Sequence, residues 1–213
     1  MPHGPAGPGP RRRTVLAALA PLALAAGCAA DEDGSRPAPG PRATAVKDAL
    51  IMVIRHAEQP YAGDVGADEE GEDDPGSLAL RGWRRAEALP RLFPPARGAA
   101  LPRPATLFAA AGPARSRQTV AALAEVLRLP VRTDLAVGRE KALARAALAA
   151  VAPVLICWEH AGIPRLVHAL GADGVLGVPS GWPDRHDLVW TFTRSQGRWA
   201  FREHSQRLLP GDA

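Results

Sequence analysis

Cysteine is nearly absent from this chain: Cys28 and Cys157 are the only two in 213 residues. With Cys28 at the end of an N-terminal leader and Cys157 inside an apolar run, no disulfide framework is available to the folded part. Long hydrophobic runs are missing too. The longest uncharged leader stretch, Thr14 to Gly27, falls short of the roughly 20 residues a spanning helix needs, which disfavours a permanent transmembrane segment. No Lys/Arg block of the kind that tracks a nucleic-acid backbone follows residue 28, so DNA and RNA are set aside as partners. The seven acids between Asp64 and Gly76 lack the alternate spacing and glycine pivot of a calcium loop and read as a solvated loop. No internal repeat is visible.

What is present begins with a leader. Arg11-Arg12-Arg13, the uncharged stretch to Gly27 and then Cys28 form a basic head, a short apolar body and a small-residue exit, the pattern of a secretory signal over residues 1–28. Leu24-Ala25-Ala26-Gly27-Cys28 is similar to a bacterial lipobox, with Cys28 as the lipidated residue, and Arg12-Arg13-Thr14-Val15-Leu16 resembles a twin-arginine export signal. The expected location is therefore the outer side of a bacterial cell membrane, held by an N-terminal lipid, or otherwise secreted. The leader carries three arginines and no acid, so the formal charge of the remainder drops from +4 to about +1. Residues 29–47, rich in Asp, Gly, Pro, Ala and Arg, read as a disordered tether, because they have too few large apolar side chains to offset the entropy of ordering. Residues 48–210 read as one domain, consistent with 46% apolar and 23% charged residues overall.

Within that domain, short apolar runs alternate with helical periodicity. Leu50–Ile54, Thr106–Ala110 and Val154–Trp158 are too short for helices and read as strands buried on both faces. Val131–Thr133 reads as a shorter strand. Helical spacing runs from Gly82 to Phe93, through Val120, Leu123 and Leu127, over Glu140–Ala150, and through Ile163, Leu166, Val167 and Leu170. Leu188, Trp190 and Phe192 alternate with more polar neighbours, and Trp199 and Phe201 point to a partner strand across the Ser195-Gln196-Gly197 turn. The alternation predicts an α/β fold, a three-layer α/β/α sandwich around a mostly parallel sheet.

In such sheets ligands sit outside the carboxyl ends of the strands. Three apolar strands lead to residues of one chemical kind there: the first to Arg55-His56, the second through Ala111–Ala114 to Arg115, the third to His160. Guanidinium groups meet the oxygens of a phosphoryl group with paired hydrogen bonds, and a neutral imidazole nitrogen can displace a leaving alcohol from phosphorus without a metal.

These residues carry a resemblance. Ile54-Arg55-His56-Ala57-Glu58 is similar to the Arg-His-Gly-Glu signature of the histidine phosphatase (phosphoglycerate mutase-like) superfamily. Leu78–Ala86 resembles its Leu-Thr-x-x-Gly-x-x-Gln-Ala segment, Ala111–Thr119 its Ser-x-x-x-Arg-x-x-Gln-Thr segment, and Val154–Ile163 its strand bearing the second catalytic histidine. The resemblance implies a phosphoglycerate mutase-like fold and His56 as a nucleophile that becomes phosphorylated. Arg55, Arg115 and His160 would hold the phosphoryl group, and no cofactor or metal is implied. For the general acid it implies Glu140, with Glu58 and Glu159 as alternatives. Glu159 is expected to face away from the pocket if His160 faces in, since strand neighbours alternate.

Ala57, Ala79, Arg85 and Ala111 depart from the family pattern at Gly, Thr, Gln and Ser, and predict the loss of some supporting hydrogen bonds. The segment typical of true mutases is not visible between Val131 and Arg139. The expectation is a phosphatase, a phosphoric-ester hydrolase acting on a phosphorylated small molecule or phosphopeptide, with a catalytically degenerate anion-binding lipoprotein as the alternative. His168, His186 and His204 read as surface or structural residues, and Trp182–Arg185 as part of the pocket rim.

Overall fold

A computed structural model describes residues 47–95 and 99–213. The leader, Cys28 and all of the tether but Lys47 lie outside the described residues. Among the described residues no helix is long and apolar enough to cross a membrane.

Ten regular elements follow in chain order: β1 (Ala49–Arg55), α1 (Leu80–Ala88), β2 (Thr106–Ala109), α2 (Arg115–Leu127), β3 (Val131–Arg132), α3 (Glu140–Ala149), β4 (Val154–Trp158), α4 (Ile163–Leu170), β5 (Leu188–Ser195) and β6 (Arg198–Ser205). The six strands form one sheet in the order β3-β2-β4-β1-β5-β6. β3, β2, β4 and β1 pair in parallel. β5 runs antiparallel to β1, and β6 antiparallel to β5 through a tight turn at Gln196-Gly197.

Alternation along the strands divides the core into two layers. Ile51, Val53, Val154, Ile156, Trp158, Trp190 and Phe192 pack with Leu143, Ala147, Ile163 and Leu166, which puts α3 and α4 on one face. Met52, Ile54, Leu107, Leu155 and Cys157 pack with Val120, Leu123 and Leu89, which puts α2 and the turn ending α1 on the other. The chain moves outward from β1 to β2 to β3 and returns to β4, so right-handed crossovers place the later helices on the opposite face. The result is the expected three-layer α/β/α arrangement.

Local chemistry sets the element ends. α1 is shorter than the periodicity from Gly82 to Phe93 implies, because Pro90 lacks the amide an α-helix needs and Leu89–Leu92 tightens into a 3-10 turn. α4 starts with Pro164 in its first turn and ends at Gly171 in the left-handed region, φ 72°. Gly82 has no freedom to be anything larger: a Cβ there would run into the Glu58 carbonyl oxygen. That close approach seats α1 directly against the segment after β1.

Candidate active site

Register brings the site together. β1 and β4 are adjacent with Arg55 opposite Trp158, and the His56 amide continues the pairing by donating to the Trp158 carbonyl at 3.2 Å. The residues that follow the two strands, His56 on one side and Glu159-His160 on the other, are thereby held side by side. β2 flanks β4, so the turn after it presents Arg115 at the same sheet edge, in the first position of α2.

His56 is fully buried. Its Nδ1 lies 2.7 Å from the Ala57 carbonyl oxygen, which can only accept. In the neutral ring Nδ1 therefore carries the hydrogen, and Nε2 exposes a lone pair. Nε2 stands 3.2 Å from Oε2 of Glu159, yet makes no well-aligned hydrogen bond within the protein. Arg55, at the end of β1, directs Nη1 to Asp184 at 3.1 Å, while its Nε has no partner. Arg115 makes long contacts of 3.3 and 3.4 Å to the Pro75 and Gly76 carbonyls, and its Nε is also unpartnered. Buried polar atoms without partners are rare in folded proteins. Among the described residues six side-chain atoms are in that condition, and four of them, Arg55 Nε, His56 Nε2, Arg115 Nε and Glu159 Oε1, belong to this one site.

Glu159 corrects the expectation that it faces away. β4 ends at Trp158, and Glu159 leads into a 3-10 turn over His160–Gly162. Strand alternation stops there, so both Glu159 and His160 reach the His56 ring: potential ligand atoms of the three residues lie within 4.8 Å of one another. A proton on His56 Nε2, with the Arg115 charge nearby, holds the Glu159 carboxyl below its ordinary range despite partial burial; where Nε2 is bare that support is lost, and the carboxyl keeps its own proton more readily. Burial and the Arg55 charge lower His160, favouring its neutral form.

Glu140 is engaged elsewhere. Its carboxylate accepts from the Gly138 amide at 2.9 Å, Trp158 Nε1 at 3.2 Å and Arg165 Nη2 at 3.2 Å. Those donors outweigh the cost of burial and keep it ionised. The residue borders a cleft of about 690 Å³ between α3 and α4 that none of Arg55, His56, Arg115 or Glu159 lines. Glu58 is likewise committed, to Arg81 at 3.0 Å and Arg85 at 2.7 Å.

His186, read as a surface or structural residue, is half-buried beside the site and supports its backbone. Its Nδ1 lies 2.8 Å from the His56 carbonyl, and the two rings are 5.8 Å apart. Burial pushes its pKa down to about 4, with the Arg55 charge adding to burial and the hydrogen bond to His56 opposing it. The neutral ring therefore donates Nδ1–H to that carbonyl. It sits in the irregular stretch between α4 and β5, where no periodicity marks it; the one signal was its nearness to the rim stretch, from which Asp184 reaches Arg55.

The departures from the family pattern have specific outcomes. The Ala57 backbone is not left-handed, so alanine fits, and its methyl packs with Leu78 and Ala86. Thr119 Oγ1 accepts the Ala57 amide at 2.8 Å and donates to the Arg115 carbonyl at 2.7 Å, tying α2 to the nucleophile's segment. Gln118 fixes the loop before α1 through the Leu78 amide and Ser77 Oγ. Arg85, read as a loss, makes more hydrogen bonds than a glutamine has donors.

The donor set His56, Glu159 and His160 would suit a zinc ion by type. Arg55 and Arg115 bring two positive charges to the same place, and their unpartnered Nε–H groups can only donate. An anion meets those groups, whereas a cation does not.

No family model and no curated protein matches the sequence. Among solved structures, a mycobacterial glucosyl-3-phosphoglycerate phosphatase aligns with a TM-score of 0.49 and 14% identity over 73% of this chain and 97% of its own. A second mycobacterial protein, described as hydrolase 1, aligns with a TM-score of 0.46 and 14% identity over 74% of this chain and 97% of its own.

Proposed function

We propose that the protein is a metal-independent phosphatase that hydrolyses phosphomonoesters through a phosphohistidine at His56. The observation that supports this most is the convergence of unpartnered buried groups of matching kind: two guanidinium Nε–H donors and a lone pair on an imidazole of fixed tautomer. Such an arrangement is complementary to a phosphoryl group, whose developing charge is spread over three oxygens.

His56 Nε2 attacks phosphorus as the bond to the leaving oxygen breaks, and Arg55, Arg115 and neutral His160 hold the three equatorial oxygens. The leaving oxygen takes a proton from the carboxylic acid form of Glu159. In the second step the Glu159 carboxylate removes a proton from water, the hydroxide oxygen bonds to phosphorus, and the P–N bond breaks to restore His56 and release phosphate. Glu159 takes this role in place of Glu140, because it adjoins Nε2, whereas the Glu140 carboxylate is committed to Gly138, Trp158 and Arg165. Binding a phosphate dianion beside Glu159 raises its proton affinity, which supplies the acid form.

The substrate is a phosphorylated small molecule or phosphopeptide. Export and lipid anchoring at Cys28 belong to the same reading and are supported by the leader sequence alone.

The decisive experiment is phosphate release from an aryl phosphate in the presence of chelator, beside His56→Ala, with trapping of an acid-labile phosphoenzyme. We expect activity to survive chelator and to fall by about 10⁴-fold or more in the variant. A folded, active protein that forms no phosphoenzyme, or a His56→Ala variant with full activity, overturns the proposal.

A further inference from the structure

A charge cluster with several short hydrogen bonds joins the C-terminal segment to α1. Arg85, almost wholly buried, sends Nε to Glu58 Oε2 at 3.0 Å and Nη2 to Glu58 Oε1 at 2.7 Å. Its Nη1 and Nη2 reach the two Asp212 oxygens at 2.9 and 2.8 Å. Asp212 also accepts the Leu208 and Leu209 amides at 2.9 and 3.0 Å, and Arg81 reaches both carboxylates from outside. A buried ionic cluster is a costly way to tie down a tail, since desolvation offsets much of its Coulomb gain.

Glu58 is two residues beyond His56. The intervening segment is pinned by the Ala57 amide on Thr119, by the Ala79 amide on the Glu58 carbonyl and by the Glu58 carboxylate on Arg85. Between these points lies the Ala57 carbonyl, the group that receives His56 Nδ1–H. We propose that Asp212, acting through Arg85 and Glu58, is a positioning residue that holds the Ala57 carbonyl in place and so keeps Nε2 of His56 as the bare nitrogen. The proposal rests on the reading of His56 as nucleophile. A free imidazole prefers its hydrogen on Nε2, the nitrogen facing the phosphoryl site, so loss of the carbonyl acceptor would move the lone pair to the wrong side of the ring.

The test uses the full chain and two readouts. In Asp212→Asn, kcat on an aryl phosphate should fall about tenfold or more, with KM within about twofold of the parent. The ¹⁵N signals of the His56 ring, assigned by their loss in His56→Ala, should show hydrogen shifting from Nδ1 to Nε2. Asp212→Glu should recover part of both. A folded Asp212→Asn with the parental kcat and tautomer overturns the proposal. If that variant does not fold, Arg81→Ala loosens both carboxylates from outside; a smaller change in the same direction is expected, and parental values overturn the proposal there as well. An inactive parent would count against the nucleophile reading, while the tautomer comparison would still decide the positioning role.

Discussion

Two buried arginines, Arg85 in α1 and Arg55 at the end of β1, show how a fold separates scaffold from site. Arg85 spends every guanidinium nitrogen on protein acceptors: Glu58, Asp212 and Gln206. Arg55 is nearly as buried, yet it has one exposed carboxylate, Asp184, and a buried Nε with no partner. The first is a closed account of charge, the second an open one. Stability resides where polar groups are satisfied, and ligand binding where they are left waiting.

The sharpest way to test the open centre is at its acid. Glu159→Gln should lower kcat by about 10²- to 10⁴-fold, whereas Glu140→Gln should leave the chemical step within about tenfold and act through the packing of Trp158 and Arg165. The reverse order in steady-state kinetics would return the acid role to Glu140.

Exchange of each arginine for methionine contrasts the two centres directly. Arg85→Met leaves Glu58 and Asp212 with only the half-exposed Arg81 as counter-charge and should cost about 3 kcal/mol in chemical denaturation. Arg55→Met removes an unsatisfied donor from a cationic pocket, so its melting temperature should equal or exceed that of the parent. It should, however, lose the stabilisation by inorganic phosphate, which for the parent is about 2.7 kcal/mol at 100 times Kd. Equal destabilisation by both exchanges would break the distinction.

Acid should separate the centres by pH. His186 prefers its neutral form in the fold, with a pKa of about 4 against an ordinary 6.5. The unfolded chain therefore takes up its proton first, and stability falls as pH drops from about 6.5 toward 4. Asp212 is held at about 2 against an ordinary 3.8, chiefly by Arg85. Its contribution, about 2 kcal/mol, is complete above pH 4 and is lost as pH falls through 2. His186→Gln should flatten the first slope and Asp212→Asn the second; a single slope that neither variant alters would show that other groups govern acid unfolding.

Much of this was legible in the chain. Arg55-His56, Arg115 and His160 each follow an apolar run, and β2, β4 and β1 prove to be neighbours in the sheet. Glu159 was not placed correctly, because periodicity describes a strand and not the turn that replaces it. His186 lies where no period operates. Arg85 looked like a lost glutamine, because its partner Asp212 is 127 residues away, and no local pattern connects residues at that separation.

What the sequence determined by itself was the alternation of strands and helices and the kinds of side chain delivered to the strand ends, since burial patterns and turn chemistry act over a few residues. Only the tertiary structure decided which nitrogen of His56 is bare, which glutamate stands beside it and which arginine is satisfied. Those outcomes depend on backbone carbonyls and carboxylates brought within 3 Å or so by the packing of distant segments, and hydrogen-bond geometry at that range is set by the fold as a whole.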